Sequence, residues 1–208
     1  PEREVWDGAR AGVEGAKELC GVDACFPISE FESKLEDYLQ GAGSLHYSLG
    51  QQASFDAMIF GGIEKARGRG RSKKLWPERV VHPQALWHEM RLFKSDDELE
   101  TMRRAATISA EAHCRAMAAC QPGMYEYEIE AILKQVFLAA GSPRVAYNPI
   151  VGAGPNATVL HYVENRRQMQ DGELLLIDAG CEFDFYAADI TRTFPVNGTF
   201  SDAQRQVY

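Results

Sequence analysis

The segment Leu174-Leu175-Leu176-Ile177-Asp178-Ala179-Gly180-Cys181-Glu182 decides the fold. Its four consecutive apolar residues predict a strand that is buried on both faces. Asp178 ends this strand, and a buried carboxylate costs on the order of several kcal/mol unless it is paired or binds a cation. We therefore expect Asp178 to have a charged or hydrogen-bonding partner.

A second aspartate, Asp189, lies in another strand-like segment, Tyr186 to Val196. If residues 179–188 form the turn of a hairpin, the two aspartates come side by side, and directly opposed positions have Cβ atoms about 5 Å apart. Two carboxylates at that distance repel each other unless one takes a proton or a cation lies between them. A divalent metal, or a pair of ions about 3.5–4 Å apart, resolves the conflict and makes a hydrolytic site. Oxygen ligands favour Mn²⁺ or Mg²⁺.

The spacing of the two aspartates also fits other arrangements. Pairing with Arg192, or a turn cap, explains them without a metal, and on spacing alone it is the favoured interpretation. Thr191, two residues after Asp189, is predicted on the same strand face and is a candidate hydrogen-bond partner for a metal ligand. His161 lies on a neighbouring predicted strand, Thr158 to Val163, where a single histidine is more often structural.

Two helices are predicted before these strands. Ser95-Asp96-Asp97-Glu98 has the spacing of a capping box and opens a helix that continues to about Cys120. His113, on a face of this helix, is interpreted as packing or solvent-facing. A second helix is predicted from about Tyr125 to Ala140, with Gly141 after its end. Since strands follow these helices, beginning with Val145 to Val151, the order indicates an α+β fold.

The composition limits the function classes. The formal net charge is −8, which disfavours a nucleic-acid binder. There is no apolar run long enough to cross a membrane and no secretory leader, so we expect no membrane partner. A run of basic residues begins at Lys65 and ends at Lys74, and we interpret it as a solvated loop rather than an anion site. The five cysteines have no CxxC spacing, and we expect free thiols in a reducing compartment.

Five segments together resemble the bacterial type of aminopeptidase P, in the pita-bread metallopeptidase group with prolidase and methionine aminopeptidase. They occur in order at residues 88–95, 150–154, 160–162, 176–182 and 189–196, with the sequences HEMRLFKS, IVGAG, LHY, LIDAGCE and DITRTFPV. The resemblance is strong over 88–208 and looser over 1–87. It implies that 88–208 is the first half of a pita-bread catalytic domain, preceded by part of a smaller N-terminal α/β domain.

The resemblance implies a hydrolase with two metal ions, usually Mn²⁺. Asp178 matches the family's aspartate that chelates one ion, and Asp189 matches the aspartate that bridges both. His161 matches an active-site histidine that is not a ligand and that assists substrate binding or proton movement. The implied reaction removes the N-terminal residue from a peptide whose second residue is proline. Such enzymes are often dimers or tetramers, and we expect a homo-oligomer in the cytoplasm.

The family takes its other ligands, a histidine and two glutamates, from the second half of the domain, which would lie after Tyr208. Because Ser201 to Gln204 forms another capping box just before Tyr208, we expect the natural sequence to continue. We predict that these 208 residues alone are inactive and bind metal weakly or not at all. Two alternatives stay open: a prolidase-type dipeptidase, and a non-catalytic pita-bread module that binds peptides or proteins.

Overall fold

The computed structural model describes residues 4–68 and 76–208 of the chain. It divides into two compact units, Pro1–Phe93 and Lys94–Tyr208. The basic run was predicted as a loop, but residues 65–68 are helical, with Lys65 and Arg67 in the last turn of a helix, and residues 69–74 fall outside the described residues. Within the described ranges no helix is both long and apolar enough to cross a bilayer.

The first unit combines helices with a small sheet. Two parallel strands, β1 (Ser44–His46) and β2 (Arg79–Val81), pair with each other. The helices α3 (Phe31–Leu39) and α4 (Ala53–Gly68) pack on each other. Leu39 of α3 is buried, whereas its neighbour Tyr38 is exposed. The helices are α1 (Glu4–Asp7), α2 (Gly12–Cys20), a 3-10 turn (Ile28–Glu30), α3 (Phe31–Leu39), α4 (Ala53–Gly68) and α5 (Gln84–Leu92).

The second unit begins with the two predicted helices, α6 (Asp96–Ala119) and α7 (Glu126–Ala139). The capping box at the start of α6 is confirmed: Ser95 Oγ accepts the Glu98 amide, and the Glu98 carboxylate accepts the Ser95 amide. The capping box at Ser201 is confirmed as well, and it opens the short helix α8 (Asp202–Val207). The predicted ends of the two long helices, about 95–120 and 125–140, lie within a residue or two of the observed ends.

Six strands form two antiparallel sheets of three strands each. In the first sheet β5 (Leu174–Asp178) lies between β4 (Ile150–Ala153) and β8 (Thr191–Pro195). In the second, β6 (Cys181–Phe183) lies between β3 (Arg144–Val145) and β7 (Tyr186–Ala187). The chain therefore leaves one sheet just after Asp178 and returns to it just before Thr191. The fold of the chain is α+β, as predicted.

The core of this unit lies between the two long helices and one face of the sheets. It contains Ile108 of α6, Leu133 and Phe137 of α7, and Leu175 and Ile177 of β5, all essentially inaccessible to solvent. Burying side chains of this size stabilises the unit by roughly 1.5–3 kcal/mol each. The alternation along β5 turns the Asp178 carboxylate to the opposite face of the sheet.

Several strand predictions were wrong in detail. β5 is fully buried on one face only, since Leu174 and Leu176 are half-buried. The strand predicted over 145–151 is two strands in different sheets, separated by Asn148-Pro149, because proline has no amide to continue a ladder. The segment predicted as a strand over 158–163 is not one: a 3-10 turn spans Gly154–Thr158, and His161 lies in the turn that follows.

Candidate metal site

Asp178 and Asp189 lie at the point where the chain crosses between the two sheets. We call residues 178–181 and 188–191 the aspartate corner. The predicted hairpin is present, but its turn is Asp184-Phe185, between β6 and β7. Asp178 is opposed by Thr191 rather than by Asp189, which lies in the break between β7 and β8. The prediction that Asp189 and Thr191 share one strand was therefore wrong, although Thr191 does lie beside Asp178.

Two backbone hydrogen bonds hold the corner closed across the break. Ala179 donates to the carbonyl of Ile190 at 3.1 Å, and Ala188 donates to the carbonyl of Cys181 at 2.9 Å. Gly180 lies between them, where an added Cβ would be 1.7 Å from the carbonyl oxygen of Ala188. Only glycine lets the two segments approach this closely. The local sequence Asp178-Ala179-Gly180 thus creates the crossing that brings the two aspartates together.

The hydroxyl of Tyr147 joins the two carboxylates. It donates a short hydrogen bond to Asp178 Oδ1 and lies 3.0 Å from Asp189 Oδ1. Tyr147 is placed by its neighbour Ala146, whose amide donates to the carbonyl of Gly180 at 2.9 Å. The sequence prediction missed Tyr147 because the residues around it were interpreted as one strand. The signal that could have found it is a tyrosine just before Asn148-Pro149, a turn sequence.

The carboxylates of Asp178 and Asp189 have fewer hydrogen-bond donors than their negative charge calls for. A phenol carries one proton, so at any moment only one of the two carboxylates receives it. Among residues 4–68 and 76–208, neither carboxylate has another hydrogen bond or an ion pair, so the predicted pairing with Arg192 is absent there. Arg192 donates instead to the carbonyl of Thr191. Burial and the two carboxylates raise the pKa of Tyr147, because a phenolate would add a third negative charge.

The oxygen atoms of the two aspartates suit a hard divalent cation as ligands. Asp178 is half-buried, Asp189 is exposed, and the two offer carboxylate oxygens of the kind that Mn²⁺ and Mg²⁺ prefer. A cation bound beside the two carboxylates would offset their mutual repulsion, which the single hydroxyl proton of Tyr147 does not. Nowhere in the described parts of the chain, however, do three or more His, Cys, Asp or Glu side chains form a group able to hold a metal.

His161, the predicted active-site histidine, is exposed, and its imidazole makes no hydrogen bond within the described residues. The turn that carries it is anchored by the next residue, Tyr162, whose hydroxyl donates to Glu126 Oε2 at 2.7 Å. The role of His161 and the metal-ligand roles of Asp178 and Asp189 stay predictions, because no contact of the present structure tests them.

A second carboxylate that the sequence prediction missed is Glu126, at the start of α7. It is fully buried and accepts four hydrogen bonds, two on each oxygen. Its donors are the Ala153 amide (2.8 Å), the Asn156 side chain (3.1 Å), the Tyr162 hydroxyl (2.7 Å) and the Arg167 amide (2.9 Å). From sequence alone, Glu126 looks like an ordinary acid in a first helical turn.

Comparison with known proteins places both units. Residues 100–208 match the model of metallopeptidase family M24, and residues 1–46 match that of the aminopeptidase P N-terminal domain. The chain is similar to the Xaa-Pro aminopeptidase of Escherichia coli strain K12, with 44% identity over 205 residues, which are 99% of this chain and 46% of the relative.

Two solved structures of Escherichia coli aminopeptidase P are similar in fold. One is a variant in complex with substrate, and the other is a zinc-substituted enzyme in complex with product. Each superposes with a TM-score of 0.90 at 44% identity, and each match covers 100% of this chain and 47% of the solved chain. The chain thus spans about half the length of the relatives it matches.

Proposed function

Because the chain belongs to metallopeptidase family M24, we propose that the protein is a metal-dependent Xaa-Pro aminopeptidase. Its substrates would be peptides with proline as the second residue, and it would release the residue before that proline. Support for this substrate class comes from the similarity to the Xaa-Pro aminopeptidase of Escherichia coli, which extends over 99% of the chain.

One observation carries the proposal: Asp178 and Asp189 converge on a single tyrosine hydroxyl and lack a compensating positive charge within the described residues. Holding two carboxylates together in this way is unfavourable in the free protein. A site that keeps such an arrangement suits a ligand that supplies the missing charge. In this proposal Asp178 and Asp189 hold metal, and Tyr147 orients their oxygens through a hydroxyl that donates to one carboxylate at a time.

When bound, the metal ions would lower the pKa of water and polarise the scissile carbonyl. His161 would assist substrate binding or proton movement from its exposed turn. Two carboxylates do not complete the coordination sphere of a divalent ion, which takes four to six ligands. We therefore propose that the remaining ligands come from outside the described residues, and that these 208 residues alone bind metal weakly.

Mn²⁺ is the metal we propose, because the ligands present are all oxygen atoms. We also propose a cytoplasmic location, supported by five free cysteines and no disulfide among the described residues. A homo-oligomer, dimer or tetramer, is proposed for the complete protein, and light scattering of that protein tests it.

The test uses the protein expressed from its complete natural coding sequence, stripped of metal and then supplied with Mn²⁺. We expect cleavage of an Xaa-Pro-Xaa tripeptide, and we expect Asp178→Asn and Asp189→Asn to lower kcat/KM about a thousandfold or more, roughly 4 kcal/mol. Asp184→Asn is the matched control. It removes the same charge from the exposed β6–β7 turn, at a left-handed φ of 45° that asparagine tolerates, and it should leave kcat/KM within about twofold.

Three outcomes would contradict the proposal. Tripeptide cleavage that survives Asp178→Asn would show that the corner is not the metal site. Cleavage of Xaa-Pro dipeptides alone would indicate a prolidase. Tight binding of proline-containing peptides without any hydrolysis would indicate a non-catalytic module.

A further inference from the structure

The imidazole of His113 in α6 lies against the aspartate corner. It is 2% exposed, and its Nε2 is 3.0 Å from the carbonyl oxygen of Ala179, the residue after Asp178. A carbonyl oxygen only accepts, so Nε2 carries the proton and donates it. The other ring nitrogen, Nδ1, is buried and has no hydrogen-bond partner among the described residues.

An unpartnered buried ring nitrogen is unfavourable, because it loses its hydrogen bonds to water and gains none in the protein. Burial lowers the pKa of His113, as does the nearby Arg192, whereas Ala179 and Asp178 raise it. The buried ring is therefore favoured in its neutral form. If His113 served only to fill space, phenylalanine or leucine would fill it without the cost of Nδ1. What the imidazole adds is the N–H that it donates to Ala179.

A second side chain of α6 acts on the same stretch of backbone. The Oγ of Ser109, one helical turn before His113, accepts the amide of Cys181 at 3.0 Å. In the corner, the amide of Ala179 and the carbonyl of Cys181 bond to the returning segment, at Ile190 and Ala188. The Ala179 carbonyl and the Cys181 amide point the other way and are satisfied by α6. Ser109 and His113 thus supply the two hydrogen bonds that a neighbouring strand would supply.

We propose that His113 is a positioning residue for the metal site, a role that rests on the proposed function. By holding the Ala179 carbonyl, it fixes the backbone that directs the Asp178 carboxylate toward Asp189 and Tyr147. Ser109 holds the opposite side of Gly180 in the same way. His113 bonds to the backbone and not to the carboxylates, so its effect is transmitted through residues 179–181.

The test compares His113→Phe, His113→Gln and the wild type in the complete protein. Phenylalanine keeps the volume and loses the donor, whereas glutamine keeps an N–H at a similar reach. We expect His113→Phe to speed amide hydrogen exchange of residues 179–181 about tenfold, and to weaken Mn²⁺ binding about tenfold by calorimetry, at a little-changed thermal midpoint. His113→Gln should stay within about threefold of the wild type in both measurements.

Ser109→Ala is the second variant, used if His113→Phe fails to fold, and it should speed exchange at Cys181 and weaken Mn²⁺ binding in the same direction. Unchanged exchange or unchanged Mn²⁺ affinity in the variant that folds would overturn the proposal. Equal losses in His113→Phe and His113→Gln would also overturn it, since the ring shape rather than the donor would then be responsible. If the wild type binds no Mn²⁺, the proposed function fails, and the exchange measurement alone decides whether His113 holds the corner.

Discussion

Glu126 and the aspartate pair Asp178 and Asp189 are two carboxylate groups in the same unit. They differ in how many hydrogen-bond donors they receive. Glu126 is fully buried and receives four hydrogen bonds on its two oxygens. Asp178 and Asp189 are more accessible and share one tyrosine hydroxyl. A carboxylate saturated with donors is stabilised by the protein itself. A carboxylate pair with too few hydrogen-bond donors needs a positive charge that the described residues do not provide.

The two groups also differ in what they hold in place. Glu126 joins the start of α7 to β4, to the 3-10 turn after it and to residues 162–167, so it anchors the turn that carries His161. The aspartates hold no backbone, because the corner is closed by its own amides and by α6. Because the two aspartates hold no backbone in place, their oxygens are available to a ligand, which a metal site requires.

The largest effect should follow from Glu126→Gln, a change of nearly equal size. The new amide nitrogen faces two donors and cannot accept from them, so we expect the free energy of unfolding to fall by about 2–3 kcal/mol. Urea denaturation followed by circular dichroism measures this change. Glu111→Gln removes the same charge from an exposed ion pair with Arg115 and should cost no more than about 0.5 kcal/mol. Equal costs in the two variants would mean that the Glu126 pocket is not structural.

A smaller effect is expected at Tyr147, whose hydroxyl links the aspartates. Tyr147→Phe should lower the free energy of unfolding by about 1 kcal/mol at neutral pH, less than a fully buried charged hydrogen bond because Asp189 is exposed. The pKa of Tyr147 is raised by burial first and by its two carboxylate partners next. The hydroxyl therefore contributes fully below about pH 10, the usual tyrosine value, and its contribution is lost as the pH rises above that.

Denaturation curves of the wild type and Tyr147→Phe between pH 7 and 11 test this dependence. The difference between the two proteins should be constant up to about pH 10 and shrink beyond it. A difference that instead grows with pH would show that Tyr147 ionises more easily in the folded protein. In that case the two carboxylates would not be acting on it together.

The long helices and the central strand of this unit could be predicted from sequence because their signals are local. The capping box at Ser95 and the apolar run that ends at Asp178 each need only a few neighbouring residues. The hairpin could be proposed for the same reason, since it joins segments close in sequence. The family resemblance, carried by motifs such as Leu176 to Glu182, was confirmed by the match to family M24.

Tyr147, Glu126 and His113 could not be predicted because their partners are distant in sequence. Tyr147 bonds to aspartates 31 and 42 residues away, and His113 to a carbonyl 66 residues away. The segment predicted as a strand over 158–163 failed for a related reason. It follows a 3-10 turn whose residue Asn156 donates to Glu126, a tertiary contact that overrides a local strand preference.

The smallest expected effect, that of Asp189→Asn on stability, distinguishes the aspartate pair from Glu126 most clearly. In metal-free protein at low salt, Asp189→Asn removes one of two repelling charges, so the urea midpoint should be unchanged or higher by no more than about 0.2 M. Any gain should disappear at high salt, which screens exposed charges. Asp184→Asn is the control for the loss of one negative charge.

Added Mn²⁺ should then reverse the order of the two proteins. A ligand at ten times its dissociation constant stabilises the form that binds it by about 1.4 kcal/mol, so the complete wild-type protein should gain this much and Asp189→Asn should gain almost nothing. A fall in the midpoint of metal-free Asp189→Asn, like that expected for Glu126→Gln, would contradict the comparison. Asp189 would then be a structural carboxylate, and the shared hydroxyl of Tyr147 would be sufficient to satisfy it.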